Sequence, residues 1–226
     1  MFDPASFFGA VSVTSAKWQS LFYLYLVIAL VASAAFIAWI IYLVVSTRPR
    51  KNKSDTNQIK PGVIPSATRG KGKAVLYLVL FLAIIFYGLF AYSLPAAYYV
   101  RQAPSNAVNE LNITVYAQQW SWSFSYPNGY NVTSSAIRNA TVEFPVNTII
   151  VFKVTSRDVM HEFSIPAFDI KVDAFPEVYN TAWTEVSTPG TYQVFCTELC
   201  GAGHADMWTN VLFVSPSAYQ TWISSH

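Results

Sequence analysis

Charge is scarce in this sequence, and so are the side chains that bind transition metals. Asp, Glu, Lys and Arg make up 12% of the 226 residues, against 53% hydrophobic. That balance lies well off the soluble globular average, so part of the chain is expected in lipid. There are two cysteines and three histidines in all. His161 stands upstream, Cys196, Cys200 and His204 follow in one short stretch, and only His226 at the C-terminus is left over. Such sparing use of strong ligands, grouped so tightly, points to a metal. No internal repeat is present.

Two stretches have no charge at all. Leu21 to Val45 is almost continuously apolar and long enough to span hydrocarbon as a helix, and Ala74 to Ala97 is a second such run with Pro95 near its exit. Transmembrane helices are expected over about 19–46 and 74–97. Between them, Arg48 to Lys73 holds eight Lys or Arg (48, 50, 51, 53, 60, 69, 71 and 73) against Asp55 alone. The positive-inside rule predicts a cytoplasmic loop, with both termini and everything after Val100 on the outer face of a cell or inner membrane. The composition of that loop reads as a flexible linker whose charges are solvated or touch anionic head groups, and it requires no nucleic-acid partner. A cleavable signal peptide fits the first run poorly, because the preceding segment is neither short nor strongly basic and the run exceeds an h-region. Phe2 to Lys17 is a candidate for lying along the membrane surface. From Val100 on, five Lys or Arg (101, 138, 153, 157 and 171) face ten Asp or Glu, about minus five, as fits an exported domain. The expected division is an anchor over 1–100 and an outward domain over 101–226.

Beyond Leu111 the period becomes two. Leu111, Ile113 and Val115 alternate with Asn112, Thr114 and Tyr116, and Trp120, Trp122, Phe124 and Tyr126 alternate with serines before Pro127-Asn128-Gly129 turns the chain. Further strands are expected over Thr141 to Phe144, Thr148 to Ser156, Ala182 to Ser187, Thr191 to Cys196 and Trp208 to Ser215, with a short helix over Ser217 to Ile223. The fold class is membrane-anchored all-β: a two-helix hairpin followed by an antiparallel Greek-key β-sandwich or barrel. Loops gather at the ends of such a domain, so His161 and the Cys196 to Met207 loop are expected to meet at one end.

Thiolate, thioether and imidazole select copper or zinc, whereas magnesium or calcium wants carboxylate and carbonyl oxygens. Cys200, His204, Met207 and His161 alone would make a mononuclear blue copper site, leaving Cys196 unused. With three residues between the cysteines, both sulfurs turn into one loop, where two thiolates can bridge two copper ions with one imidazole on each. Met207 is then a weak axial ligand of one copper, and the peptide carbonyl of Glu198 is within reach of the other. One electron shared over two metals in a rigid loop leaves little geometry to rearrange on reduction, as a fast relay requires. A Cys196–Cys200 disulfide, natural in an oxidising compartment, would close a very small ring and leave His161, His204 and Met207 without purpose. Zinc would take the Cys2His2 set but has no use for Met207.

Cys-x3-Cys-x3-His-x2-Met, preceded by Asp158-Val159-Met160-His161-Glu162-Phe163, resembles the binuclear copper (CuA) centre of the cytochrome c oxidase subunit II family. Gln119-Trp120-Ser121-Trp122 and Lys171-Val172-Asp173-Ala174 match the same family, and the resemblance runs from about residue 18 to the C-terminal end. It implies a cupredoxin-like domain whose copper pair accepts electrons from an external donor, a cytochrome c or small copper protein. These would pass to a haem in subunit I, where oxygen is reduced to water. The ligands so implied are His161, Cys196, Glu198, Cys200, His204 and Met207. Trp120 matches the tryptophan through which electrons arrive, although two aromatics at period two also suit a core. The Glu198 carboxylate matches a ligand of a magnesium or manganese ion at the border with subunit I. Asp158 is placed to orient His161, and Lys171 and Asp173 match a stretch at the subunit I interface.

The sequence also departs from that family. Many relatives follow the tryptophan motif with acids that attract a basic cytochrome c, but Ser125 to Tyr130 has none, so a neutral or membrane-tethered donor is expected. Relatives often carry a Glu near the cytoplasmic start of the second helix, and here no Asp or Glu occurs between Lys73 and Val100. Asn112-Ile113-Thr114, Asn131-Val132-Thr133 and Asn139-Ala140-Thr141 are glycosylation sequons in the expected outer domain. A copper chaperone would want alternating strands and helices, and a quinol-oxidase subunit II would lack the ligand set. A nitrous oxide reductase would not be expected to carry this two-helix anchor alone.

Overall fold

The computed structural model describes residues 12–46, 48, 72–104 and 109–226. Most of the basic loop between the two apolar runs, and residues 1–11 of the expected surface segment, lie outside them. The chain divides into two compact units, one formed by the part up to Leu21 with Leu94–His226, the other by Phe22–Ser93.

The second unit is helical. Helix α1 is Val13–Ser46 and α2 is Gly72–Arg101, and both are long and apolar enough to cross a bilayer, with mean hydropathies of 2.6 and 2.5. Between Phe22 and Val45, and again from Val75 onward, large aliphatic and aromatic side chains stand exposed along them. Water would penalise such faces, whereas hydrocarbon covers them without cost. Within this unit the Tyr25 hydroxyl donates to the Leu89 carbonyl at 2.9 Å. Pro95 lies inside α2, which continues past it to Arg101.

At about 1.5 Å per residue α1 would be about 51 Å long, more than the ~30 Å of a hydrocarbon core, and its first turns belong to the other unit. Ser12 caps it, its hydroxyl accepting the Ser15 amide at 3.1 Å while the Ser15 hydroxyl accepts the Ser12 amide at 3.1 Å. The buried Thr14 hydroxyl donates to the Phe168 carbonyl at 3.0 Å, and Ser12 bridges to Val186. At the far end of α2, the Tyr99 carbonyl accepts the Trp183 indole N–H at 3.2 Å.

The rest of the first unit is a sandwich of two five-stranded sheets. Its strands are β1 Glu110–Gln118, β2 Ser121–Ser125, β3 Asn131–Ser134, β4 Glu143–Pro145, β5 Ile149–Ser156, β6 His161–Ile165, β7 Ile170–Ala174, β8 Asn180–Glu185, β9 Gly190–Cys196 and β10 Trp208–Val214, followed by helix α3 Pro216–Ser224. One sheet has the order β3-β2-β1-β5-β8, the other β4-β10-β9-β6-β7. The alternation in β1 buries Ile113, Val115 and Ala117, and that in β10 buries Thr209, Val211 and Phe213. Between the sheets Phe163 meets Trp122 and Phe152, each at a centroid distance of 5.3 Å. Such aromatic pairs add ~0.5–1.5 kcal/mol each beyond burial.

The cupredoxin-like sandwich on two apolar helices agrees with expectation, with three corrections. Each sheet contains one parallel pair, β1 with β5 and β4 with β10, where antiparallel strands were expected throughout. Strands β3, β6 and β7 were not anticipated, and His161 opens β6 instead of lying in a loop. Trp120 does not share a strand face with Trp122: the chain turns at Gln119 and Trp120, leaving Trp120 37% exposed while Trp122 is fully buried.

Candidate metal centre

The β1–β2 turn, the start of β6, the end of β9 and the start of β10 meet at one end of the sandwich. Phe163 on β6 pairs with Cys196 on β9, and Phe195 pairs with Trp208 on β10. The loop between β9 and β10 is closed at its base by the Cys196 amide, which donates to the Met207 carbonyl at 3.0 Å. Its last part forms a 3-10 turn, His204–Asp206, and the Met207 amide returns to the His204 carbonyl at 3.2 Å.

This closure collects the donors. The Cys196 and Cys200 sulfurs lie 3.7 Å apart, both as free thiols, far beyond the ~2.05 Å of a disulfide. Cys196 Sγ is 3.7 Å from His161 Nδ1 and 3.2 Å from the Glu198 carbonyl oxygen. Cys200 Sγ is 3.5 Å from His204 Nδ1 and 3.8 Å from Met207 Sδ. Donor atoms of His161, Cys196 and Cys200 lie mutually within 4.8 Å. Each thiol therefore has its own imidazole and one weaker donor, a soft set that fits copper and is richer than tetrahedral zinc requires.

Around this set lies a bracket of hydrogen bonds. His161 is fully buried, and its Nε2 is 2.8 Å from Asp158 Oδ1, which leaves Nδ1 turned to Cys196. Asp158 Oδ2 accepts the Gln119 amide at 2.8 Å, and the Gln119 side chain donates to the Cys200 carbonyl at 2.7 Å. Burial raises the Asp158 carboxyl, but the Gln119 amide and His161 outweigh it and hold it below its ordinary value. On the other side Glu162, buried, accepts the Thr197 hydroxyl at 2.7 Å and Lys171 at 2.9 Å.

Trp120 rests directly on the loop. A Cβ added to Gly203 would fall 2.6 Å from its Cε3 and 2.9 Å from its Cγ, and one added to Gly201 would fall 3.4 Å from its Cζ2. The indole thus covers the backbone of Gly203 with no room for a side chain between, whereas at Gly201, with φ +119, a Cβ would fall 2.9 Å from the Gln119 side-chain nitrogen.

The two thiols differ in acidity. Burial raises Cys196, but hydrogen bonding to His161 and to backbone at Glu162 and Glu198 outweighs it and brings the thiol down to about 6. Burial and then the neighbouring Cys196 push Cys200 up to about 12. Two thiolates this close repel, so without a cation the pair keeps one proton across the physiological range.

Residues 111–214 match the family described as cytochrome c oxidase subunit II, periplasmic domain. A heme-copper oxidase subunit 2 from Aeropyrum pernix is 32% identical over 91% of this chain and 88% of its own length. This chain belongs to the subunit II family of heme-copper oxidases. The sandwich also superimposes on the periplasmic domain of subunit II of the cytochrome oxidase of Bradyrhizobium japonicum, with a TM-score of 0.51 and 30% identity, covering 55% of this chain and 96% of that one. A cytochrome c oxidase subunit 2 from Cereibacter sphaeroides is 28% identical over 62% of this chain and 56% of its own length. The chain spans about half the length of such bacterial relatives.

As a subunit II, the chain carries a CuA-type domain, and the sulfur and imidazole cluster supports a copper site in it. The fold brings together all six residues anticipated as ligands, Glu198 through its peptide oxygen, and sets Trp120 against the loop. Sequence reasoning placed Gln119 in the tryptophan motif without giving it a role, and it missed Gly203, which makes space for the indole.

Gly203→Ala should displace the Trp120 indole outward in a crystal structure of the variant, and an unmoved indole would overturn the contact. In the metal-free protein, ultraviolet thiolate absorbance should rise by one cysteine as pH passes about 6 and by the second only toward about 12. Both thiolates appearing together near the ordinary 9.0 would rule out the unequal pair.

Proposed function

We propose that this chain receives electrons for a respiratory oxidase, taking them one at a time from an external donor and passing them to a haem of subunit I, where oxygen is reduced to water. The observation that carries this reading is the pair of unlinked thiols at 3.7 Å, each with its own imidazole. Bound as a binuclear CuA pair, copper would supply reversible one-electron chemistry spread over two metals. The ligands proposed are His161, Cys196, Cys200, His204, Met207 and the Glu198 carbonyl.

The chain's own residues do the rest. Cys196 and Cys200 would hold the copper pair, with little freedom to spread because the loop is pinned at Met207. Asp158 holds the His161 tautomer, so Nδ1 keeps its lone pair for the metal. Trp120 is proposed as the point where electrons arrive, since it is both partly exposed and in contact with the ligand loop. With no acid over Ser125 to Tyr130, the donor is proposed to be a neutral or membrane-tethered cytochrome or small copper protein. The Glu198 carboxylate is proposed as one ligand of a magnesium or manganese ion, whose remaining ligands subunit I would supply. We place α1 and α2 across the membrane, with the sandwich on the outer face and the basic loop in the cytoplasm.

Copper analysis with electron paramagnetic resonance on the purified, copper-loaded protein should give two coppers per chain and a seven-line hyperfine pattern. One copper with four lines would sink the bridged reading and leave a mononuclear cupredoxin. In stopped-flow donor oxidation, Trp120→Phe should slow transfer about tenfold or more, a barrier rise of ~1.4 kcal/mol, with the copper spectrum intact and little salt dependence in either protein. Unchanged kinetics would remove Trp120 from the route, and a steep fall with salt would contradict a neutral donor.

A further inference from the structure

A solvent-facing surface with little charge needs another means of holding water. From Leu111 to Val142 the single charged residue is Arg138, although this stretch supplies β1, β2, β3 and the turns beyond, and from outside it the Arg157 guanidinium lies over the Tyr116 ring, at 4.4 Å. Well-behaved protein surfaces carry about 25–35% charged residues. The positions alternating with buried Ile113, Val115, Phe124 and Val132 are hydroxyls and amides instead: Thr114 stands opposite Ser125, Ser125 opposite Asn131, and Ser123 bonds Thr133 at 2.7 Å. The same stretch contains the chain's three Asn-x-Thr sequons, at Asn112, Asn131 and Asn139, and all three asparagines are exposed.

We propose that this side of the domain is N-glycosylated, with Asn139 the principal acceptor. Asn139 sits in the turn after β3 with φ 39, and among the described residues its side-chain amide has no hydrogen-bond partner. Two residues before it, Ile137 is 93% exposed, an apolar side chain that a saccharide would cover. Asn131 opens the edge strand β3 and ranks second, because its amide already donates to the Gly129 carbonyl at 2.9 Å. Asn112 ranks last: β1 is flanked by β2 and β5, and its amide is held by Glu110 at 2.7 Å.

The donor class is a polyprenyl-phosphate-linked oligosaccharide. The Asn139 amide nitrogen bonds to C1 of the first sugar, the C1–O bond to phosphate breaks, and the amide proton leaves to protonate the departing polyprenyl phosphate. No electrons change hands. The saccharide would hydrate the charge-poor half-sheet and bar proteins from it, leaving the copper end open to the donor.

The proposal rests on the outward orientation given above, and the sequence contains a control for it. Asn52-Lys53-Ser54 is a further sequon, in the basic loop assigned to the cytoplasm. The oxidase complex would be purified from its native membranes, digested and analysed by tandem mass spectrometry. Peptides containing Asn139 should carry a saccharide mass, those with Asn131 less often and Asn112 least, while Asn52 stays bare and Asn139→Gln loses the mass. Bare peptides at all four positions would overturn glycosylation and leave the orientation standing. Sugar on Asn52 with none on the other three would overturn the orientation and this proposal with it. Occupancy greatest at Asn112 would overturn the role of Asn139.

Discussion

Two sulfurs must sit close enough to share metals without joining each other, and the surrounding structure depends on keeping them so. Cys196 is fixed as the last residue of β9 by its amide's bond to Met207, and Cys200 lies in the loop that this bond closes. Neither can move alone. Their separation of 3.7 Å is therefore a property of the hairpin base more than of the sulfurs, and the sandwich beneath supplies its rigidity. Trp122 packs edge-on against both His161 and Phe163, so the ligand imidazole and the aromatic core are in direct contact.

Electrostatics completes what packing begins. The carboxylate of Asp158 accepts from His161 and from Gln119 at once, joining the β6 side of the centre to the β1–β2 turn. The second arm of Gln119 reaches the Cys200 carbonyl. One amide residue thereby ties both thiol neighbourhoods together while its neighbour, Trp120, packs on the ligand loop and stays partly exposed. The unequal thiols reflect burial first and the neighbouring sulfur second, and bound cations would offset both.

Much of the site was legible in the sequence because strong ligands are rare there, so their spacing stood out, and the helices were legible because their apolar runs are unbroken. The failures have physical reasons. In β6 all five residues are buried, including His161, Glu162 and Ser164, so polar residues sit where alternation predicts core and the strand leaves no periodic trace. Trp120 kept the period of its neighbours yet left the sheet, since hydrogen bonds that Gln119 donates to residues far along the chain hold the turn. The parallel pairs β1–β5 and β4–β10 join strands distant in sequence. No local pattern encodes such partners.

The contact between Trp120 and the ligand loop also limits how this loop can vary. The indole and the backbone of Gly203 occupy one shared volume, so this glycine cannot gain a side chain while a tryptophan stands at position 120, and at Gly201 the Gln119 amide and a φ of +119 bar one. Leu199, Ala202, Ala205 and Asp206 are exposed, and they are loop positions left free to differ among descendants of this chain, including any that adapt to a different donor.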